Sequence, residues 1–351
     1  MVPTQKIILW PYVLLLTFSA VVCAGPRDGR LDIYWVDMEG GAGTLIVTPA
    51  GESILIDTGN PGVRDPDRIV RVLSRQAGLR KIDYLIVTHY HLDHYGGAAT
   101  LSQMVPIGTL YDNGLADDMP EPAPENSYLE LACDHRRIIQ PGDRLPLRQS
   151  DREGSSEVSL VCLGTRRDYV EAPANSAGEN NVCSNHKPKD RDGSDNARSV
   201  VALLKYGAFE FFDGGDLTWN EEYRLVCPHN LAGTVDVYQV THHGLDSSNN
   251  PVVLQSLQPA VAIMNNGATK GCMPEVFANL TETKSLQAIY QVHKNLRPDG
   301  TVNNAPDEYI ANKQDAGHCH GNYIHLSVDP SGNAYTVAIP ATGHRRTFQS
   351  K

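Results

Sequence analysis

The sequence predicts an α/β or α+β chain built around large β-sheets. Short apolar runs bounded by Gly and Pro turns recur in both halves, as buried or half-buried strands do. Segments with helical periodicity lie between those runs, and no repeat at solenoid spacing interrupts them. That order is expected of sheets covered by helices around a shared core.

The elements follow in chain order. "RLDIYWVD", "GTLIVTPAG" and "ESILIDTG" read as three strands joined by Gly- and Pro-bearing turns. "DPDRIVRVLSRQAGL" carries Ile69, Val70, Leu73 and Ala77 at helical spacing, with Gly78 as its end. "KIDYLIV" is a buried strand, "GGAATLSQM" a helix and "IGTLYDN" another strand. From Gly114 to Asp195 the chain turns to Pro, Glu, Asn and Ser, and long loops are expected around the strand-like "EVSLVCLGT". "RSVVALLKYGAFEFFDGGDL" then gives two strands about Tyr206-Gly207. "VDVYQVTHHG", a helical "PVVLQSL", a strand "PAVAIMNNG" and a helix near "TKSLQAIYQVHKNL" follow. "NYIHLSVDPSGNAYTVAI" closes the chain as a hairpin turning at Pro330 to Asn333.

The 351 residues suit one large domain or two small ones. A formal charge of −11 without a long basic run counts against a polynucleotide held mainly through its phosphates. Residues 1–24 resemble a secretory signal peptide: Lys6, an apolar run from Ile7 to Val22, then Val22 and Ala24 before a cleavage point. The expected location is therefore secreted or periplasmic, with residues 25–351 as one domain carrying loop insertions around 114–195. An uncleaved N-terminal membrane anchor is the rival reading, and a lipoprotein through Cys23 a weaker one. No later segment is long and apolar enough to span a membrane. Setting Cys23 aside, Cys133, Cys162, Cys183, Cys227, Cys272 and Cys319 remain, an even number that in an exported chain suggests disulfides of open pairing. A cysteine zinc site would need closer spacing than any of them offers.

"THYHLDHYGG" follows the buried strand and holds His89, His91, Asp93 and His94. Residues two apart on extended backbone point the same way, so His89 and His91 form one pair. Asp93 and His94 follow where the chain turns into a helix and face the same space from another direction. Imidazole and carboxylate together suit zinc, with manganese or iron as alternatives. The bland alternative is a histidine-rich surface turn, but that density at a strand end is rare by chance.

This stretch resembles the HxHxDH signature of the metallo-β-lactamase-fold hydrolases. "LIDTG" (Asp57), "FFDGGDL" (Asp216) and "VYQVTHHG" (His242, His243) resemble its other motifs in the right order. The resemblance spans about Leu31 to Ile339 and is greatest with the metallo-hydrolase domain of competence DNA-uptake proteins and its secreted stand-alone relatives. It implies an α+β fold, a four-layer αββα sandwich, and two divalent metal ions. His89, His91, Asp195 and Asp216 would hold one ion; Asp93, His94, Asp216 and His243 the other. Asp57 would orient a ligand from behind. His242 would meet substrate or leaving group, although the assignments of His242 and His243 can be reversed. Asp93, His242 and Asp57 are thus the residues expected to bear on the reaction itself.

Two departures from the family pattern matter. "DNARSVV" puts Asp195, with Asn196 behind it, where many members carry a histidine ligand; a polar-turn cap is the plainer role. "NNGATKGCMPEVF" puts Met273 where competence-type relatives carry histidine, and sets Lys270 nearby to meet an anionic substrate or merely solvent. His318 and His320 flank Cys319 and read as loop residues; His293 reads as a core-edge histidine.

The implied reaction is metal-assisted hydrolysis by a metal-held hydroxide, on a small or oligomeric ester or phosphoester substrate, phosphodiesters first. Lactone or β-lactam hydrolysis is the alternative chemistry. A secreted binding protein that keeps the fold without turnover is the alternative class.

Overall fold

Alternation decides which way each strand residue faces. In β1 (Leu31–Trp35), Leu31, Ile33 and Trp35 enter one apolar cluster while Tyr34 enters another. Both faces of this strand are therefore buried, one against a second sheet and one against helices. The computed structural model describes residues 28–115, 127–172 and 178–351. The expected signal peptide at 1–24 and nearly all of "ADDMPEPAPENS" lie outside them.

β1, β2 (Thr44–Val47) and β3 (Ser53–Ile56) pair antiparallel, and β4 (Ile82–Val87), β5 (Ile107–Asp112) and β6 (His135–Ile138) extend the sheet in parallel. The second sheet combines β7 (Val158–Thr165), β8 (Asp168–Tyr169), β9 (Val201–Tyr206) and β10 (Phe209–Asp213). β11 (Val237–Gln239), β12 (Val261–Met264), β13 (Ala288–His293) and β14 (Ile310–Asn312) continue it in parallel. The chain then returns to β1 through β15 (Ile324–Val328), β16 (Ala334–Ile339) and β17 (His344–Gln349). Nine strands form the first sheet and eight the second.

Ile33, Trp35, Ile46, Ile54 and Ile86 of the first sheet meet Leu160, Leu204, Phe211, Val237 and Ile263 of the second. Inside this layer Trp35 Nε1 and Thr44 Oγ1 donate to Gln239 Oε1 at 2.8 and 2.9 Å, so both buried donors are satisfied. On the outer face of the first sheet lie α1 (Arg64–Arg75), the short α2 (Leu92–Tyr95) and α3 (Ala98–Met104), burying Ile69, Leu73 and Leu101. α4 (Trp219–Val226), α5 (Pro251–Leu257) and α6 (Pro274–Glu282) cover the second sheet through Leu225, Leu254 and Leu280. The layers are the αββα sandwich. Among the described residues no helix is long and apolar enough to cross a membrane.

Two expectations need correction. The stretch "TKSLQAIYQVHKNL" is a strand, β13, where a helix was expected. Ala288, Tyr290 and Val292 share one face toward the inter-sheet core while Ile289 between them meets the helices, so the apolar period is two. The even cysteine count also misleads: Cys183 and Cys227 are bonded, and Cys133, Cys162, Cys272 and Cys319 are free thiols. Cys162 sits fully buried in the inter-sheet core as a free thiol. The region 114–195 also holds β6, β7 and β8, so its described part is not only loop.

Asn250 caps α5 by accepting from Val252 N at 3.0 Å, and its amide donates to Trp219 O at 3.1 Å. Asn250→Ala is expected to cost roughly 1–2 kcal/mol, a lowered urea midpoint with unchanged slope. An unmoved midpoint would show that the cap does not anchor α5.

Candidate metal centre

Strand ends from both sheets supply this centre, because β3, β4, β10 and β11 all release their chain at the same edge of the sandwich. Asp57 follows β3 in a left-handed conformation (φ 62°). Its Oδ1 accepts from Thr88 N at 2.8 Å, and its Oδ2 accepts from Thr88 Oγ1 at 2.8 Å and lies 2.7 Å from His94 Nδ1. A carboxylate on Nδ1 fixes the ring so that Nε2 presents its lone pair.

The donor atoms of Asp93, His94, Asp216 and His243 lie within 4.8 Å of one another. His94 Nε2 is 3.1 Å from Asp216 Oδ2, 3.2 Å from His243 Nε2 and 3.5 Å from Asp93 Oδ2. His243 Nε2 is 3.1 Å from Asp93 Oδ2 and 3.4 Å from Asp216 Oδ2. Donors placed tetrahedrally at zinc–nitrogen and zinc–oxygen lengths of about 2.0–2.1 Å stand about 3.3–3.4 Å apart. The set therefore has the size and the chemistry for a zinc-like divalent ion. With His94 Nδ1 facing the Asp57 carboxylate and His243 Nδ1 facing Asn265 O at 3.3 Å, two Nε2 lone pairs face each other at 3.2 Å, which also favours a shared cation. Burial opposes ionisation of Asp216, yet His243, His94 and His242 hold its carboxyl well below the usual range. Burial is outweighed at Asp93 too, by His94, His243 and Lys270. Both carboxylates are thus ready as anionic ligands.

His89 is fully buried; its Nδ1 lies 3.1 Å from Thr88 Oγ1 and 3.4 Å from Ser199 Oγ, while its Nε2, 3.9 Å from Asp216 Oδ2, has no hydrogen-bond partner among the described residues. Burial, then the neighbouring His94, pushes its pKa well below the ordinary histidine value, leaving a free lone pair. A buried, unpartnered acceptor of this kind calls for an ion or a water. The ring of His91, partly exposed, packs edge-on to His89 at 4.7 Å.

His242 and His243 both have left-handed backbone (φ 53° and 54°), which turns the two imidazoles into the centre from one tight bend. Such conformations cost about 1–2 kcal/mol each and need support. Gly271 supplies part of it: its φ is +76°, and a Cβ there would lie 1.9 Å from His243 O. Cys272 N donates to that same oxygen at 3.0 Å. The buried Glu222 carboxylate supplies the rest, accepting from Thr241 Oγ1 (2.5 Å), Asn249 N (3.0 Å) and Asn250 N (2.8 Å).

The structure separates residues that the sequence grouped. His243 joins the converging four, while His242 stands beside them with Nε2 3.6 Å from Asp216 Oδ2. Ser247 Oγ and Ser248 Oγ lie 3.0 and 3.2 Å from His242 Nδ1, and the Asn196 amide lies 3.3 Å from Nε2. An amide donor there assigns the ring hydrogen to Nδ1 and the lone pair to Nε2. Asp195 is not in the converging group. Its Oδ2 accepts from Tyr90 N at 2.7 Å and Asn113 Nδ2 at 3.1 Å, and its Oδ1 faces Arg198 at 3.5 Å. Lys270 pairs with Asp93 Oδ2. Met273, at the histidine position of competence-type relatives, packs with the apolar residues under α4–α6. Thr88 and Glu222 escaped sequence reasoning. Thr88 had a signal, since it directly precedes His89; a single buried Glu in "NEEYRLV" had none.

Asp57→Ala is expected to weaken metal affinity about 10–100-fold, read by competition with a chromophoric chelator. Unchanged affinity would mean that Asp57 does not orient His94.

A model of the metallo-beta-lactamase superfamily matches residues 39–157. A UPF0173 metal-dependent hydrolase of Cupriavidus necator is 30% identical over 89 residues, 25% of this chain and 28% of that protein. Recombination protein 2 of Haemophilus influenzae is 24% identical over 258 residues, 73% of this chain and 26% of that protein. The chain thus spans less than a third of the length of either relative. Among solved structures, the CmlA beta-hydroxylase E377D mutant aligns at a TM-score of 0.43 and 14% identity, over 75% of this chain and 52% of that one.

Proposed function

Because the chain belongs to the metallo-beta-lactamase superfamily, we propose that it is a metal-dependent hydrolase acting on phosphoester or phosphodiester bonds outside the cytoplasm. The observation that carries the reading is the convergence of the His94, His243, Asp93 and Asp216 donor atoms within 4.8 Å of one another. Those four residues would hold one divalent ion, zinc first. His89 and His91, with Asp216 shared, would hold a second. When bound, the metal supplies a nucleophilic water near neutral pH and offsets the charge that develops on the substrate oxygen.

The remaining work falls to the chain itself. Asp57 orients His94, and Thr88 in turn orients Asp57. Asp195 fixes the Tyr90 peptide between His89 and His91, a positioning role in place of the ligand role expected from sequence. His242, with Nδ1 held by two serines, keeps an accepting Nε2 beside Asp216 and takes or returns a proton there. Lys270 sits on Asp93 and supplies a cation to an anionic substrate group, which favours phosphoesters over neutral lactones. The net acidic surface favours a small or oligomeric ester over a long polynucleotide. The Cys183–Cys227 bond is consistent with an extracytoplasmic location.

The test is turnover of bis-p-nitrophenyl phosphate, a lactone and a β-lactam before and after chelation, with metal add-back. Phosphodiester turnover lost on chelation and restored by metal is expected. Lactone or β-lactam turnover with phosphodiester silence would overturn the substrate class. Less than one metal equivalent with no ester turned over would favour a binding protein. Processing of residues 1–24 is read from the N-terminus of the exported protein, and an intact, membrane-bound N-terminus would replace secretion by anchoring.

A further inference from the structure

Apart from the centre above, the described residues hold one other convergence of metal-ligating side chains. The donor atoms of Asp37, His293 and Cys319 lie within 4.8 Å of one another. They come from distant parts of the chain: Asp37 just past β1 in the first sheet, His293 at the end of β13 in the second, and Cys319 in the loop before β15. His293 Nε2 is 2.8 Å from Asp37 Oδ1. Cys319 Sγ is 2.9 Å from Asp37 Oδ2, 3.7 Å from His293 Nε2 and 3.5 Å from Asn312 Oδ1.

We propose that Asp37, His293 and Cys319 form a separate site for a zinc-class divalent ion. A thiolate at about 2.3 Å and an imidazole at about 2.0–2.1 Å from a tetrahedral zinc stand about 3.5 Å apart, close to the 3.7 Å between Cys319 Sγ and His293 Nε2; the 2.8 and 2.9 Å contacts of Asp37 are hydrogen-bond lengths that would have to open as the ion replaces the protons. Thiolate, imidazole and carboxylate together suit zinc over magnesium or calcium. Asp37 and His293 are fully buried, while Cys319 is partly exposed and gives the ion a way in.

Charge agrees with the assignment. Asp37, Glu39 and Asp65 bring three negative charges against two guanidiniums: Arg68 bonds Asp37 Oδ2 at 3.0 Å and Glu39 Oε1 at 2.8 Å, and Arg64 bonds Glu39 Oε2 at 2.9 Å and Asp65 Oδ1 at 2.6 Å. A dication with a thiolate adds one net positive charge and leaves this group neutral. On binding, the Cys319 S–H proton leaves to solvent. The His293 ring hydrogen takes Nδ1, which is buried with no hydrogen-bond partner among the described residues, and Nε2 becomes the ligand. The ion would tie the two sheets at the edge where the first centre lies. Asp37 leads into the 38–42 loop, whose Ala42 N donates to Asp93 O at 3.0 Å. Filling the site would therefore steady the loop behind Asp93.

Cobalt(II) titration of the full-length protein separates the two sites. The Asp93–His94–Asp216–His243 centre offers only nitrogen and oxygen donors, so thiolate-to-cobalt charge-transfer absorption reports Cys319 alone. The expected result is a near-ultraviolet band whose amplitude at saturation corresponds to one thiolate bound to cobalt per chain. It is absent in Cys319→Ser and weakened in His293→Gln, and retained in Asp216→Ala and Cys133→Ser. No band in the wild type, or a band kept in Cys319→Ser, would overturn the site and leave a hydrogen-bonded thiol–carboxylate–imidazole cluster. If Cys319→Ser does not fold, alkylation of the wild type decides: zinc should slow labelling of Cys319 at least about tenfold, the signature of a thiolate held by metal, and equal labelling would reject the site. Failure of the first centre to bind metal would remove only the bands of nitrogen and oxygen ligands and leave this result readable.

Discussion

Replacing Asp216 with alanine is expected to strip the first centre of its metal and to lower kcat/KM by about 10³-fold on the ester that proves to be the substrate. That factor corresponds to the several kcal/mol of charge stabilisation that a metal supplies. One oxygen of Asp216 carries the effect. Oδ2 stands 3.1 Å from His94, 3.4 Å from His243, 3.6 Å from His242 and 3.9 Å from His89, so no other side chain faces all four imidazoles. Asp216→Asn tests charge apart from shape, since it keeps the volume and removes the anion. Metal content by atomic absorption and turnover should fall together while the circular dichroism spectrum stays that of the wild type. Retained metal with retained turnover in both variants would remove Asp216 from the centre.

The second large effect lies behind the His242–His243 bend. Burial pushes the Glu222 carboxyl from 4.5 up to about 7, although Thr241, Asn250 and Asn249 donate to it and oppose the shift. The folded protein therefore binds more protons than the unfolded chain between those two values. The stability contribution of Glu222 is full below the unfolded value, shrinks as pH rises and is lost above about 7. The total is about 3 kcal/mol, most of which falls between pH 5 and pH 8. Glu222→Gln removes this titration while keeping the side chain's shape. Relative to wild type, the variant should gain most of that amount of stability on going from pH 5 to pH 8, measured by urea unfolding at each pH. Parallel pH profiles would show that Glu222 stays ionised throughout. The effect also reaches the chemistry, because Glu222 holds Thr241 and Asn249, and those residues hold the bend that aims both histidines.

Local chemistry was legible in the sequence wherever a short stretch contains its own geometry. "THYHLDHYGG" shows that His89 and His91 pair and that Asp93 and His94 turn toward them, because a strand end fixes those directions over six residues. Asp57, Asp216 and the His242–His243 pair were found through motif order. Most strands were legible for the same reason, since alternation is local. β13 was not: its residues satisfy a helical spacing and a period of two, and only burial against both the opposing sheet and α4–α6 selects the strand. Asp195 illustrates the limit at the site. It stands where many members of the family carry a histidine, but whether a carboxylate faces a metal or a backbone amide depends on where the Tyr90 peptide lies, 105 residues away.

By itself, the sequence determined that the chain folds as sheets covered by helices and that it carries a histidine–aspartate centre at strand ends. Periodicity and spacing act over a few residues and need no partner. The tertiary structure alone decided that His243 rather than His242 joins Asp93, His94 and Asp216, that Cys183 pairs with Cys227, and that Asp37, His293 and Cys319 meet. Each of these is a distance between atoms far apart in the chain. Such distances are set by how two buried sheets pack, and no local pattern encodes them.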